Sequence, residues 1–345
     1  MIEQEGVTYH RIMPVNLAEE HAYLFAREKV RTIPTLRLYP IRNALINEDQ
    51  YIWQGLRLRP EALLSRENRE TPSVFTNLKT YSRSLFTKRI RVIKSALWLI
   101  DGWSTQYFHW FADVLHKQTM ALQMDVNLPM IVPESFMRSH FVAESLRVLQ
   151  PPYIELKRSE FAVVRKLMTW SDEMWSGNYI EPAIQNLRSR FLAAIGTDDT
   201  SSRPWRMIYI SRAGAKHRRI TNEDEVTDRL RQIGFEVLHA EKLSLHEQIR
   251  MFSECRLVVA AHGAGLTNTL FMLSGMAVLE IRHPESTVQN CYFSLASALG
   301  INYYYMVGLP QGDPMPSVAP DARAHLQDLS VDVKELVNLI LSIEG

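Results

Sequence analysis

The chain has 345 residues, 46% of them apolar and 22% charged, with a formal net charge of +1. That length favours two domains over one, each able to bury a core of its own. A balance this close to neutral lacks the positive field that nucleic-acid binding needs, so nucleic acid is not an expected partner.

The first stretch, MIEQEGVTYHRIMPVN, carries charges where a signal peptide needs an apolar core. Residues 1–100 hold 16 Lys and Arg against 10 Asp and Glu, including Lys88, Arg89, Arg91 and Lys94. A solvated face is the plainer reading of that bias; a surface resting on anionic lipid, a peripheral contact at the inner face of a membrane, is the other. No run reaches the ~20 apolar residues of a spanning helix, and Ala96-Leu97-Trp98-Leu99-Ile100 stops at Asp101. Cys255 and Cys291 both sit in apolar segments and read as buried free thiols of a reducing compartment. The expectation is a soluble, cytoplasmic protein.

Up to about residue 100, TLRLYPIRNALI, QYIWQGLRL and RIRVIKSALWLI read as short strands broken by Pro and Asn. From Tyr107 the period changes: Phe108, Phe111, Ala112, Leu115 and Thr119 recur at helical spacing, followed by strand PMIVP, helix SFMRSHFVAESLRVL and strand YIEL. Residues 171–203, with SDEMWSGNYIEP and the polar run TDDTSSRP, read as a linker region around a helical stretch. A second alternating series then runs WRMIYIS, helix from Asn222 to Ile233, FEVLHA, LSLHEQIRMFSEC, RLVVAA, AVLEIR, NCYFSLASALG and NYYYMVG, closing on helix VDVKELVNLILSI. Alternating strands and helices imply parallel sheets covered by helices. The expected division is 1–185 for an N-terminal acceptor-side domain and 186–345 for a C-terminal donor-binding domain, whose last helix is free to pack back on the first. Open parallel sheets bind ligands at the carboxyl ends of their strands, so a cleft between two such domains is the expected place for a site.

Three constellations can carry chemistry. In VVAAHGAGLTN (residues 258–268), Gly263 and Gly265 permit close backbone approach, and a helix starting near Leu266 offers unpaired N–H groups to an anion, a phosphate being the natural guest. His262, Ala264, Thr267 and Asn268 surround that turn, and Glu280, near the end of strand AVLEI, could accept hydrogen bonds from ribose hydroxyls. The structural alternative is a tight turn capped by His262. In YISRAGAKHRRITNEDEV, Arg212 follows a buried strand directly and Arg218 lies in the loop behind it, and an arginine fork matches a phosphate in shape and charge. Thr221-Asn222-Glu223-Asp224 resembles a capping box, which makes its acids structural. In STQYFHWFADVLHK, His109 and Asp113 are four apart and share a helix face, so Asp113 can orient His109 or accept a proton itself; taken alone, this pair reads as structural. No metal-ligand spacing, hydrolase elbow, P-loop or D-x-D pair occurs, so neither a metal nor another cofactor is called for.

Taken together and in this order, YFHWFADVL, YISRAGAKHRRITNEDEV and VVAAHGAGLTNTLFMLSGMAVLEI resemble the family 61 glycosyltransferases, in particular those of bacterial surface and capsular polysaccharide synthesis. The resemblance is close over residues 205–285 and looser over 105–120; Gln106 departs from the Asn that relatives often carry there. It implies a GT-B fold of two Rossmann-like α/β domains facing a central cleft. It also implies inversion at the anomeric carbon, a UDP-linked sugar donor, a glycan or other hydroxyl acceptor, and no obligatory metal. Arg212, Arg218, His262, Gly263, Ala264, Gly265, Thr267 and Asn268 would then surround the donor. Asp113 would be the base, with His109 as its partner or replacement. Two other readings stay open: a nicotinamide-dependent oxidoreductase, because strand, G-x-G, helix, strand and acid also describe a dinucleotide fold, and a non-catalytic module binding a glycan or a nucleotide sugar.

Overall fold

The computed structural model describes residues 1–47, 52–55, 57–59, 87–171, 176–197, 203–313 and 315–344. Most of the run TDDTSSRP, the middle of SDEMWSGNYIEP, and Gln50, Tyr51 and Leu56 of QYIWQGLRL lie outside the described residues. The chain forms two compact units, Met1–Val7 with Thr32–Ser176, and Thr8–Arg31 with Gly177–Gly345.

The first unit holds β1 (Ile2–Gln4), β4 (Leu36–Ile46), β5 (Ile52–Gln54), β6 (Arg57–Leu58), β7 (Arg89–Leu97), β8 (Met130–Pro133), β9 (Tyr153–Leu156) and β10 (Glu160–Trp170) in one sheet of order β6-β5-β4-β10-β7-β8-β9, with β1 on β4. The short strands β2 (Val7–His10) and β3 (Val30–Ile33) pair separately, where the chain passes between units. β7, β8, β9 and β10 run parallel, but β1, β4 and β5 join antiparallel. The sheet is therefore mixed where a Rossmann-like one was expected. Parallel neighbours need crossovers of a dozen or more residues, and the short connections among β4, β5 and β6 allow only antiparallel return. A helix runs from α1 (Tyr107–His109) through a π-helical segment Trp110–Leu115 into α2 (His116–Gln123). All six residues of the π segment are buried, and the indole N–H of Trp110 donates to Ser145 Oγ of α3 (His140–Leu149) at 2.8 Å.

The second unit is an all-parallel five-stranded sheet of β11 (Arg206–Ile210), β12 (Glu236–Leu238), β13 (Cys255–Ala261), β14 (Ala277–Arg282) and β15 (Asn302–Val307), in the order β12-β11-β13-β14-β15. Its helices are α4 (Glu181–Ala194), α5 (Glu223–Gln232), α6 (Leu245–Ser253), α7 (Cys291–Ala298), α8 (Pro320–Leu326) and α9 (Val333–Glu344), and β16 (Leu309–Gln311) pairs with β17 (Asp328–Ser330). β14 is buried at all six positions, as a strand covered on both faces must be. The α6 start is a capping box: Ser244 and Glu247 each accept from the other's backbone N–H.

The expected boundary at 185/186 moves, because two segments assigned to the first domain pack with the second. Val15 N–H bonds the Tyr303 carbonyl at 2.9 Å, and the Asn16 side chain pairs with both backbone groups of Tyr305, so this segment covers the free edge of β15. Phe25 packs edge-on against Phe293, Tyr303 and Tyr305. The last helix stays with its own unit: Leu336 and Ile340 lie in one core with Val226 and Leu230 of α5 and with Leu257, Val259 and Leu279 of the sheet. Leu336→Ala should then cost about 2–5 kcal/mol. Cys255 provides the readout, since it is fully buried and burial pushes its thiol up to about 12. It should resist a thiol reagent in the native protein at neutral pH and react at a markedly higher rate in Leu336→Ala under mild denaturant.

Candidate functional site

In chain order the strands of the parallel sheet lie 2-1-3-4-5, so the order reverses between β11 and β13. At such a switch point the connections leave to opposite faces and open a crevice beyond the carboxyl ends of the two strands. Ser211 and Arg212 follow β11 there, and His262 and Gly263 follow β13. Topology thus brings together two motifs fifty residues apart.

Arg212 is held on every side. Its backbone N–H donates to Glu223 Oε1 at 2.8 Å, and that buried carboxylate also accepts from Tyr209 Oη and Ser211 Oγ. Its Nε and one terminal nitrogen donate to the Arg218 and His217 carbonyls at 2.9 and 2.8 Å. Arg218 reaches this geometry with a left-handed φ of 58°. The remaining terminal nitrogen rests on Gly263, where a Cβ would stand 1.8 Å from it. Gly265 is constrained in the same manner, a Cβ there lying 2.9 Å from Ile210 Cγ2. The glycines are therefore required by close approach. Burial, and after it the neighbouring Arg218 guanidinium, lowers the Arg212 pKa, yet arginine remains cationic. The Nε of Arg218 is buried without a hydrogen bond. Two guanidinium groups with open donors are set beside a helix start, a combination that favours an anion.

The turn leads into a 3₁₀ helix, Ala264–Phe271, which begins two residues earlier than expected. Ala264 and Gly265 are its first-turn residues, whose N–H groups have no acceptor inside the helix. Thr267 and Asn268 are fully buried, and the Asn268 amide donates to Gln248 Oε1 of α6 at 2.9 Å. Asn268 secures the helix to α6, and Thr267 is enclosed with its hydroxyl unbonded, so neither presents a side chain to a ligand, which corrects their expected donor contacts.

Glu280 is likewise corrected. It is fully buried: Oε1 accepts from His262 Nδ1, Oε2 accepts from Tyr303 Oη at 2.5 Å, and Arg282 stands 3.7 Å away. A carboxylate so placed cannot reach a ribose; it orients His262. Burial raises its pKa, but Arg282, His262 and Tyr303 outweigh that and hold it below the ordinary carboxylate value. His262 also packs edge-on against Tyr292 of α7, with centroids 5.0 Å apart, and burial lowers its pKa despite the Glu280 carboxylate.

In the first unit, His109 Nδ1 lies 2.7 Å from Asp113 Oδ2, which also accepts from Ser176 Oγ at 2.9 Å. Both bonds fall on one oxygen, so Oδ1 is the atom left for a hydroxyl. The pair sits where the helix passes into its π segment, a distortion often found at functional sites. Trp103 stacks beside His109 at 6.0 Å, held by Asp101 accepting its backbone N–H. Among the described residues no group of three or more His, Cys, Asp or Glu is arranged to hold a metal ion, and no helix is long and apolar enough to cross a membrane.

Sequence reading had joined His109 to Asp113 and Arg212 to the glycine turn. It missed Glu223, Tyr292, Tyr303, Arg282 and Ser176, because their contacts are long-range and only pairing registers reveal them; Glu223 had been assigned to a cap that its helix does not use.

The glycosyltransferase 61 family model matches residues 107–279, half of the chain. The chain belongs to glycosyltransferase family 61. Among relatives, the EGF domain-specific O-linked N-acetylglucosamine transferase of Drosophila melanogaster is 30% identical over 144 residues, covering 39% of this chain and 26% of the relative. The Mus musculus protein of that name is 32% identical over 101 residues, 28% of this chain and 19% of the relative. A xylan glycosyltransferase of Arabidopsis thaliana is 31% identical over 119 residues, 33% of this chain and 24% of the relative. The matches thus span about a quarter or less of each relative, and all three relatives are eukaryotic, where the sequence had suggested the bacterial capsular type. The family 61 match opens on the helix carrying His109 and Asp113 and includes Arg212 and the whole glycine turn.

Gly263→Ala tests the geometry directly. The added methyl must displace the Arg212 guanidinium, so affinity for inorganic pyrophosphate, measured by calorimetry, should fall tenfold or more with the melting temperature little changed.

Proposed function

We propose that this family 61 member is an inverting glycosyltransferase that moves a sugar from a UDP-linked donor to a glycan hydroxyl without an obligatory metal. The observation that carries the reading is the Arg212 guanidinium seated on Gly263 at the switch point, with one nitrogen uncommitted beside Arg218. In the transition state the bond from the anomeric carbon to the diphosphate breaks and negative charge grows on the leaving group. Arg212, Arg218 and the N–H groups of Ala264 and Gly265 stabilise that charge from fixed positions. Asp113 takes the proton of the acceptor hydroxyl on Oδ1 as its oxygen attacks the anomeric carbon, while His109 and Ser176 hold Oδ2.

A GT-B arrangement of the two units belongs to this proposal and is supported by kinship and by the parallel sheet of the donor-side unit. The glycan acceptor and a place in surface polysaccharide synthesis rest on the sequence resemblance; the relatives' names point to protein-linked and xylan acceptors. A cytoplasmic site of action and peripheral membrane contact belong to the same proposal, and the basic bias of residues 1–100 supports the membrane contact. The oxidoreductase reading loses its acidic residue, since Glu280 is sealed by His262 and Tyr303.

A thermal-shift screen over nucleotide sugars, with and without EDTA, should give a UDP-sugar hit that survives the chelator; a strict divalent-cation requirement would sink the metal-free part. In a transfer assay, Asp113→Asn should lower kcat by about 10²–10⁴-fold while nucleotide affinity is unchanged. Near-wild-type turnover in both Asp113→Asn and His109→Ala would remove the pair from the mechanism.

A further inference from the structure

Resting on that donor reading, we propose that binding of the donor diphosphate is coupled to uptake of a proton by His262, which makes the imidazole a pH-dependent part of the leaving-group site. Hydrogen-bond valence fixes the proton on one ring nitrogen. Glu280, fully buried and ionised, can only accept, so the His262 nitrogen facing it, Nδ1, must carry a hydrogen. Tyr303 Oη satisfies the second carboxylate oxygen, and Arg282, which donates to Tyr303 Oη at 3.0 Å and to the Ser286 carbonyl at 2.8 Å, cannot turn away. The tautomer of His262 is therefore fixed, and in the neutral ring Nε2 bears a lone pair. A phosphate oxygen facing that nitrogen meets repulsion unless the nitrogen is protonated, whereupon it becomes a charge-assisted donor.

Charge counting points the same way. The groups around His262 are Arg212 and Arg218 from the loop after β11, Glu280 and Arg282 from β14, Tyr303 from β15, Tyr292 from α7, His325 from α8, and Glu223 behind Arg212. Three guanidinium groups face two carboxylates, so the empty site with a neutral imidazole carries one excess positive charge. Desolvation and the two nearer arginines then oppose a further proton. The diphosphate of a nucleotide sugar brings two negative charges; one cancels the excess and the second is matched when His262 protonates. His325, which burial, Arg218 and His262 depress to about 4, is the other imidazole near the site, and its variant separates its response from that of His262. Because the bound state holds the extra proton, affinity is greatest at low pH and declines as pH rises through the bound-state titration of His262.

Isothermal titration calorimetry of UDP-N-acetylglucosamine near neutral pH, in two buffers of different ionisation enthalpy, reads the proton count on the wild-type chain. Its diphosphate has no group that titrates near neutrality, so any linked proton belongs to the protein. Uptake approaching one proton per ligand is expected, with Kd rising toward tenfold per pH unit below the bound-state titration of His262 and levelling off above it. His262→Gln should abolish both dependences, and His325→Gln should leave them intact. Equal heats in both buffers, or uptake that survives His262→Gln, would overturn the coupling. Failure of both UDP-N-acetylglucosamine and UDP to bind at any pH would instead overturn the donor reading on which it rests.

Discussion

Among the described residues, the tightest constraint on a glycine is the seating of Arg212 on Gly263. A guanidinium in van der Waals contact with backbone requires a residue without a side chain beneath it, carbonyls on its other edge, and a carboxylate behind its own N–H. Each requirement recruits a part of the fold: the glycine turn after β13, the left-handed turn at Arg218, and the Glu223 carboxylate at the start of α5. The switch-point topology of the sheet lets all three converge. What results is a cation whose position is set before any ligand arrives, and preorganised charge is what transition-state stabilisation needs.

Two carboxylates near this cation have been given supporting tasks. Glu223 fixes where the Arg212 backbone lies, and Glu280 fixes which nitrogen of His262 carries hydrogen. Neither is free to accept from a substrate hydroxyl, and both are too deeply buried to exist unpaired. Their partners are correspondingly buried: Tyr209 bonds Glu223, while Tyr303 bonds Glu280 and accepts from Arg282. His109 and Asp113 follow a different scheme, at the join of an α-helical turn and a π-helical segment in the other unit, with Ser176 as the second donor to the same oxygen.

Much of the second unit could be read from residue order alone, because continuous apolar strands, helical periodicity and short turns agree from Arg206 to Val307 and again in the last helix, whereas β16, α8 and β17 between them were not read. Less of the first could. Its mixed sheet depends on which strands pair, and a short apolar run carries no record of its partner's direction. The segment 8–31 was misassigned for a similar reason: nothing in PVN signals that Asn16 will copy a strand and close the edge of β15. At the site, position after a strand singled out Arg212 and His262, and the structure sets them at the carboxyl ends of β11 and β13. Motif analogy misplaced Glu280, Thr267 and Asn268, whose full burial is a property of three-dimensional packing.

The proposed chemistry requires Arg212 to be a preset anion clamp and not a solvated charge. The affinity of UDP for Arg212→Lys, compared with wild type by calorimetry, tests it most directly. Lysine keeps the charge but cannot bond two loop carbonyls in a planar fork while offering another donor above the glycine. A loss of tenfold or more in affinity, with an unchanged melting temperature, is the predicted result; affinity equal to wild type would contradict the account.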